Sequence, residues 1–143
     1  MTVGLILAAS LLLGWDGLHL PDRRTTPGET VTISTRTLCA TRWGKDVRHV
    51  TEAMKVAVCQ QYAAKGKCPG PDYEIDHLIS RELGGADTIK NLWPQPLKEA
   101  RLKDTLENFL HRAVCGGAMT LEAAQRGIRE DWTQLYREMK DQQ

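Results

Sequence analysis

The segment of this 143-residue chain with the clearest chemical potential is DYEIDHLISRELGG, at residues 72–85. It places Asp76 directly before His77 at the end of a strand-like pattern, and a Gly-Gly pair follows shortly afterwards. An imidazole with an ordinary pKa of about 6.5 can accept a proton at neutral pH, and a carboxylate is a hard oxygen ligand for divalent cations. These residue types suit metal-assisted hydrolysis with a histidine base. A turn-forming Asp beside an exposed His is the plain alternative.

The elements around this pair must bring both side chains to one place. Strand residues alternate between two faces, which predicts Tyr73, Ile75 and His77 on one face and Glu74, Asp76 and Leu78 on the other. Asp76 and His77 can therefore contribute to one pocket only if the strand bends or ends between them. The short apolar run NLWP, at residues 91–94, predicts a second strand after the Gly turn, and a helix follows. The order strand, turn, strand, helix is a ββα unit.

These residues resemble the HNH (ββα-metal) endonucleases in having DH, then GG, then Asn91 fifteen residues after Asp76, with a helix soon afterwards. Longer runs look like a group of small bacterial HNH-type proteins, most of them predicted to be exported: TTPGETVT, PDYEIDHLISRELGG, NLWPQP, KDTLENFLHRAVCGG and AQRGIREDW. The resemblance covers nearly everything after residue 20. It implies an α+β fold, mainly α, with a ββα-metal motif whose short antiparallel hairpin packs against helices.

The resemblance also implies an activity, the hydrolysis of phosphodiester bonds in DNA, or also RNA, with one divalent metal ion. His77 is then the general base that activates water, and Asp76 is a metal ligand. Oxygen ligands favour Mg²⁺ or Mn²⁺, while Ni²⁺ and Zn²⁺ are alternatives. We expect no small-molecule cofactor.

Two further residues complete the expected site. The resemblance places the last metal ligand on the helix after NLWPQP, where Glu99 is the candidate; a helix N-terminal acid that interacts with the helix dipole is the alternative. Asn91 belongs to the expected catalytic set, either as a metal ligand or by tying the loop between the strands so that His77 is correctly aimed. We favour the loop-tying role, with an ordinary turn residue as the alternative.

Basic residues before and within the first predicted helix are the candidate contacts to nucleic-acid phosphates: Arg42, Lys45, Arg48 and Lys55. Residues 1–70 hold nine Lys and Arg against five Asp and Glu, whereas residues 71–143 hold ten against thirteen. A surface for polyanions must therefore be a local patch, and a merely solvated helix edge is the alternative. No helix-turn-helix pattern or zinc-finger spacing is present, so we expect low sequence specificity, with DNA preferred to RNA.

The N-terminal residues 1–19 contain an apolar run that suits a signal peptide and is short for a membrane span. Neither a preceding basic residue nor a clear cleavage site supports it, so an N-terminal membrane anchor is the alternative. We expect an exported protein, periplasmic or secreted. Residues 20–50, rich in Pro, Thr and Gly, predict an extended arm with one edge strand, and residues 51–143 form the HNH-like domain.

The four cysteines form an even set, which in an exported chain predicts two disulfides. We expect Cys59 to pair with Cys68 and Cys39 with Cys115. A structural zinc site is disfavoured, because such sites use closely spaced cysteine pairs that are absent here. Four buried free thiols are the remaining alternative.

Apolar spacing predicts three helices, over residues 51–64, over the stretch that ends at Gly116 and Gly117, and after Thr120 as N-cap. The sequence leaves two functions open besides the endonuclease. One is a catalytically inactive ββα module that binds nucleic acid or a protein partner. The other is a small disulfide-bonded exported protein in which the Asp-His pair has no role.

Overall fold

The computed structural model describes residues 17–62 and 71–143. Within them the chain is α+β and mainly helical, with one two-stranded antiparallel sheet. The elements in chain order are α1 (Thr35–Ala40), α2 (Glu52–Tyr62), β1 (Tyr73–His77), β2 (Leu92–Pro96), α3 (Leu97–Cys115) and α4 (Leu121–Asp141). This confirms the predicted class, the hairpin and the helix that follows it.

The hairpin pairs Tyr73 with Pro96 at one end and His77 with Leu92 at the other. A two-stranded sheet has only edge strands, so the prolines of LWPQP can be tolerated in β2. Trp93 in β2 is 1% exposed and forms part of the core. Because α3 begins directly after β2, the hairpin fixes where that helix starts.

The Gly-Gly pair meets two separate backbone demands. Gly84 ends the 3-10 turn Arg81–Leu83 with a φ of 79°, in the left-handed region that favours glycine. At Gly85 a Cβ atom would lie 1.7 Å from the carbonyl oxygen of Ile79. A side chain at that position would force the loop between the strands to open.

Helix α3 buries both apolar and charged side chains. Leu106 and Leu110 enter the core, while Lys103 and Glu107, each three residues before one of them, are buried on the same side of the helix. Lys103 and Glu107 are also one helical turn apart, which brings their charges together. Charged residues therefore interrupt what is otherwise an apolar stripe.

Helix α4 begins as predicted, with the Thr120 side chain accepting a hydrogen bond from the main-chain N–H of Ala123. It breaks at Asp131, where the φ and ψ angles are −161° and 92°. The Asp131 carboxylate accepts bonds from the N–H groups of Thr133 and Gln134. Asp131 thus caps a second helical segment, which explains the change in direction.

Residues 20–50 are less extended than the sequence predicts. The expected edge strand is reduced to a single bridge between Thr30 and Gly85, and the helix α1 follows it. Ser34 caps α1, and Leu38 on its inner side is fully buried. These contacts outweigh the low helix propensity of a Thr-rich segment.

The N-terminal apolar segment lies mostly in residues 1–16, outside the described residues. From Gly17 onward the chain packs against the helices, since His19 bonds to Glu99 and its carbonyl accepts from the indole of Trp132. Across residues 17–62 and 71–143, no helix has both the length and the apolar character needed to cross a membrane.

One predicted disulfide is present, joining Cys39 of α1 to Cys115 at the end of α3 with a Cα–Cα distance of 5.7 Å. Cys59 is also disulfide-bonded. Cys68, its predicted partner, lies outside the described residues. The Cys39–Cys115 bond holds residues 20–50 against the end of the long helix.

Replacing Cys39 and Cys115 together with Ser should lower the free energy of unfolding by about 2–4 kcal/mol, because the bond closes a loop between residues far apart in sequence. Urea denaturation followed by circular dichroism measures this. An unchanged unfolding midpoint would show that α1 is held by its buried Leu38 alone.

Candidate active site

His77 ends β1 with its imidazole inside the protein, and the residue is only 5% exposed. Its Nε2 atom lies 2.8 Å from Oδ1 of Asp87, in the loop that joins the strands. Because a carboxylate only accepts hydrogen bonds, Nε2 carries the proton and donates it to Asp87. Nδ1 is then the nitrogen with the free electron pair, and it is the atom that can take a proton from water.

The surroundings keep Asp87 ionised. Burial alone would raise the pKa of Asp87, but hydrogen bonds from the His49 N–H and from His77, together with the charge of Arg81, lower it. Nε of Arg81 lies 3.3 Å from Oδ1 of Asp87. A permanently charged carboxylate fixes the orientation and the tautomer of the imidazole.

Burial lowers the pKa of His77, against the opposing influence of its bond to Asp87. The nearby charge of Arg48 acts in the same direction as burial. His77 is therefore neutral at pH 7, the protonation state that a general base requires.

Asp76 precedes His77 and faces the side of the hairpin on which α3 packs. Its Oδ1 accepts a hydrogen bond from the His77 main-chain N–H at 2.8 Å. Its Oδ2 is buried without a hydrogen-bond partner among the described residues and lies 3.7 Å from Nζ of Lys103. One carboxylate oxygen therefore positions the backbone, while the other retains its electron pairs.

Lys103 is fully buried beneath this pair. Its ammonium group donates to the carbonyl oxygen of His77 at 2.6 Å and to the carboxylate of Glu107. Burial would lower the pKa of Lys103, but the charges of Glu107 and Asp76 outweigh it and raise the pKa, so the side chain stays charged. Burial raises the pKa of Glu107 to about 8 although Lys103 opposes the shift.

Asn91 is fully buried at the base of the loop between the strands. Its Oδ1 accepts from the N–H of Ile79 at 3.0 Å, and its Nδ2 donates to the carbonyl oxygens of Ile79 and Ala86, each at 3.0 Å. Both the oxygen and the nitrogen of the Asn91 side-chain amide therefore bond to the main chain of the loop. These bonds hold the loop between the strands closed, which is the role favoured from the sequence.

Glu99 lies away from the Asp76–His77 pair. Its carboxylate accepts from the His19 N–H at 2.8 Å and lies 2.6 Å from Nδ1 of the same histidine. The structure therefore uses this first-turn acid of α3 to hold the N-terminal part of the described chain. It does not bring Glu99 together with Asp76.

A cavity of about 470 Å³ opens at the end of the hairpin. His77 lines it together with five carboxylate residues: Asp46, Asp76, Glu82, Asp104 and Glu107. Arg48 and Arg81 also line it, and the guanidinium of Arg81 is paired with Asp46 and Asp87. Trp43 forms one wall, with its indole N–H donating to the carbonyl of Leu38.

The four predicted phosphate-binding residues have different surroundings. Arg48 is exposed and lines the cavity, whereas Arg42 and Lys45 are exposed on the loop that carries Trp43. Lys55 forms an ion pair with Glu52 on its own helix, at 2.7 Å. Arg48 is thus the one of the four that the structure places at the cavity.

Two carboxylates close to Asp76 have raised pKa values, mainly because they are partly buried. Burial, followed by the charge of Asp76, raises the pKa of Asp104. Burial likewise raises the pKa of Glu74, with Asp76 and Asp104 adding to the shift. A cation that entered this region would relieve the repulsion among these carboxylates.

The cavity contains carboxylates, which are possible ligands for a metal ion. Across residues 17–62 and 71–143, no group of three or more His, Cys, Asp or Glu side chains forms a metal-binding cluster. Mg²⁺ commonly takes only one or two carboxylates and completes its coordination with water and substrate phosphates. Asp76 and Asp104, which both line the cavity, suit that kind of site.

Sequence reasoning missed four residues of this site, Asp87, Lys103, Asp104 and Glu107. Asp87 follows the Gly-Gly pair by two positions and resembles an ordinary turn acid. Lys103 and Glu107 did carry a signal, because their helical spacing from Leu106 and Leu110 places two charges on the apolar stripe of α3.

No protein-family model, curated protein or solved structure matches this chain significantly.

Asn91→Ala should lower the free energy of unfolding by roughly 2–4 kcal/mol, since it leaves the N–H of Ile79 and two carbonyl groups without their partner in a buried loop. Chemical denaturation measures the loss. Asn108→Ala, at an exposed position of α3, is the matched control and should change stability by less than about 0.5 kcal/mol.

The pKa of His77 should lie below about 6.5, because burial disfavours the charged imidazole. The unfolded chain then binds the proton at a higher pH than the folded protein does. The stability contributed by neutral His77 is therefore complete above about pH 6.5 and is lost as the pH falls through the folded pKa. An NMR titration of the imidazole measures this pKa directly.

Asp87→Asn should lower the pKa of His77 further, since it removes the partner that favours the charged form. It should also disturb the tautomer, because an amide can donate to Nε2. Asp46→Asn is the matched control, since it removes another carboxylate partner of Arg81 without touching His77. A pKa of His77 that is unchanged in Asp87→Asn would contradict the assigned pair.

Proposed function

We propose that this protein is an HNH-type endonuclease that hydrolyses phosphodiester bonds of nucleic acid, with DNA preferred to RNA and with a divalent metal ion as cofactor. The observation that carries the proposal is the oriented His77–Asp87 pair beside Asp76, since His77 and Asp76 line one cavity at the end of a hairpin that leads into a helix. Hydrolysis needs a base for water and charge stabilisation at the phosphate, and these residues can supply both.

His77 acts on the attacking water. Nδ1 accepts the proton as the oxygen attacks phosphorus, and Asp87 stabilises the imidazolium that forms through its bond to Nε2. Because Asp87 is already in place and ionised, the imidazole does not need to rotate or change tautomer during the step. Burial also lowers the pKa of His77, so that the imidazole is neutral at pH 7 and can accept a proton.

Asp76 and Asp104 would hold the metal ion, and their oxygen ligands favour Mg²⁺ or Mn²⁺ over softer alternatives. A divalent ion bound there supplies stabilisation for the negative charge that develops on the phosphate and on the leaving oxygen. Glu99, the ligand expected from sequence, is replaced in this proposal by Asp104, which lines the cavity.

The charge of the cavity argues that such a cation is needed. A phosphodiester is an anion, and the cavity into which it would have to enter is lined by four acidic residues besides Glu107, whose pKa of about 8 leaves it largely protonated at pH 7. Arg48 is the exposed cation at its edge, and Arg81 is already paired with two carboxylates. Without an added positive charge, repulsion would keep a nucleic-acid backbone away from His77.

Arg48 is the proposed first contact for a phosphate, since it is exposed, lies at the cavity and forms no ion pair among the described residues. Arg42 and Lys45 lie on the same loop and can extend the contact along a backbone. These contacts read charge and not base identity, which agrees with low sequence specificity.

A catalytically inactive module that binds nucleic acid or a protein partner is the second candidate. The nearness of the Lys103 ammonium to Asp76 favours it, because a fixed positive charge weakens the affinity of a carboxylate for metal. The two candidates differ in outcome: the inactive module would bind DNA without cleaving it under any metal condition.

The deciding experiment is plasmid degradation by purified protein with Mg²⁺, Mn²⁺, Ni²⁺ or Zn²⁺, compared with EDTA. His77→Ala should lower cleavage by roughly 10²- to 10⁴-fold, the usual effect of losing a general base, while metal affinity stays nearly intact. Asp76→Asn should instead weaken metal binding, because it removes the charge but keeps an oxygen for the His77 N–H. Calorimetric titration with Mn²⁺ separates the two defects.

Glu74→Gln is the matched control, since Glu74 lies two residues before Asp76 in the same strand and does not line the cavity. It should leave cleavage within a few-fold of the wild type. If the wild-type protein binds DNA but leaves plasmids intact with every metal, the inactive module is the correct function. Loss of metal binding in His77→Ala would make His77 a ligand and not the base.

A further inference from the structure

We propose that Lys103 is a positioning residue, whose ammonium group holds the main chain of His77 and the carboxylate of Asp76 in one fixed arrangement from inside the protein. The inference rests on the proposed function of that pair. It assigns a role to a residue that touches neither the water nor the phosphate of the proposed reaction.

The contacts of Lys103 support this role. Its Nζ donates to the carbonyl oxygen of His77 at 2.6 Å and lies 3.7 Å from Oδ2 of Asp76, so one group contacts both residues. His77 is the last residue of β1, beyond which the hairpin ladder ends. Lys103 thus secures the strand at the point where its two functional residues must turn towards one cavity.

Stability alone does not account for a lysine at this position. Lys103 has no exposed surface, and Glu107 beside it is almost equally buried. Replacing a buried ion pair with apolar residues of similar volume is often neutral or stabilising. An apolar side chain at position 103 would continue the stripe of α3, but it could not bond to the His77 carbonyl.

The position of the ammonium group also affects the proposed metal site. A fixed positive charge close to Asp76 opposes a cation bound by the same carboxylate. Lys103 should therefore improve the geometry of the site while weakening its affinity for metal. If Lys103 only stabilised the fold, its removal would loosen the whole site and would lower turnover and metal affinity together. The positioning role instead predicts lower turnover with higher metal affinity.

The test compares Glu107→Gln with the double variant Lys103→Met/Glu107→Gln. In the single variant the ammonium group keeps its hydrogen bond to the His77 carbonyl and its ion pair with Asp76. In the double variant the ammonium group is absent, and the side chain at position 107 is uncharged. Lys103 is thus the one difference between the two proteins. Thermal denaturation verifies that both are folded at the assay temperature.

Relative to Glu107→Gln, the double variant should nick plasmid about 10²-fold more slowly at saturating Mn²⁺, since a displacement of about 1 Å in a site can cost that factor. Its half-saturating Mn²⁺ concentration should fall by a factor of about three or more, because the opposing charge is gone. Equal turnover in the two folded variants, or a joint loss of turnover and metal affinity, would overturn the proposal.

A readout that needs neither metal nor activity keeps this inference separate from the proposed function. The imidazole signals of His77 in the ¹H–¹⁵N spectrum of the metal-free protein should be shifted or broadened in the double variant and not in Glu107→Gln. Unchanged ring signals would overturn the positioning role. If the wild-type protein neither binds Mn²⁺ nor nicks DNA while the ring signals still respond to Lys103, the proposed function fails and the positioning of His77 stands.

Discussion

The loop between the two strands depends on the side-chain amide of Asn91, which bonds to the main chain at both Ile79 and Ala86. This closure brings the loop back on itself so tightly that only glycine fits at position 85. It also sets Asp87, just after the closure, against the imidazole of His77 at the end of β1. The orientation of the proposed base is thus a consequence of how the loop closes, since Asp87 could not reach His77 from an open loop.

A second constraint is the charge balance beneath the hairpin. One fully buried ammonium group faces the carboxylates of Asp76 and Glu107, and burial raises the pKa of Glu107 to about 8. A purely structural core would avoid this arrangement, because charges are costly to bury and apolar residues of the same volume would pack as well. Here the ammonium group of Lys103 donates to the His77 carbonyl and lies 3.7 Å from Oδ2 of Asp76, which has no hydrogen-bond partner among the described residues.

The loop after α1, in the N-terminal part of the described chain, forms one side of the cavity. The loop after α1 carries Trp43 and Arg48 to the cavity, and the N–H of His49 bonds to Asp87. The Cys39–Cys115 bond fixes α1, and with it the start of this loop, to the end of α3. Residues 20–50 are therefore part of the same unit as the hairpin, and the cavity would lose one wall without them.

The hairpin, the long helix after it and the N-cap at Thr120 follow from the sequence, because periodicity, turn residues and capping act locally. The Cys39–Cys115 pairing was predicted from few alternatives, and the structure contains it. The sequence also singled out Asp76, His77 and Asn91, but the contacts that each of them makes depend on how the elements pack together. Glu99 bonds to His19, not to the proposed site, and Asp87 and Lys103 reach His77 from a loop and a helix whose directions no local pattern encodes. Helix α1 was likewise unpredictable, since buried Leu38 and the disulfide stabilise a segment of low intrinsic helix propensity.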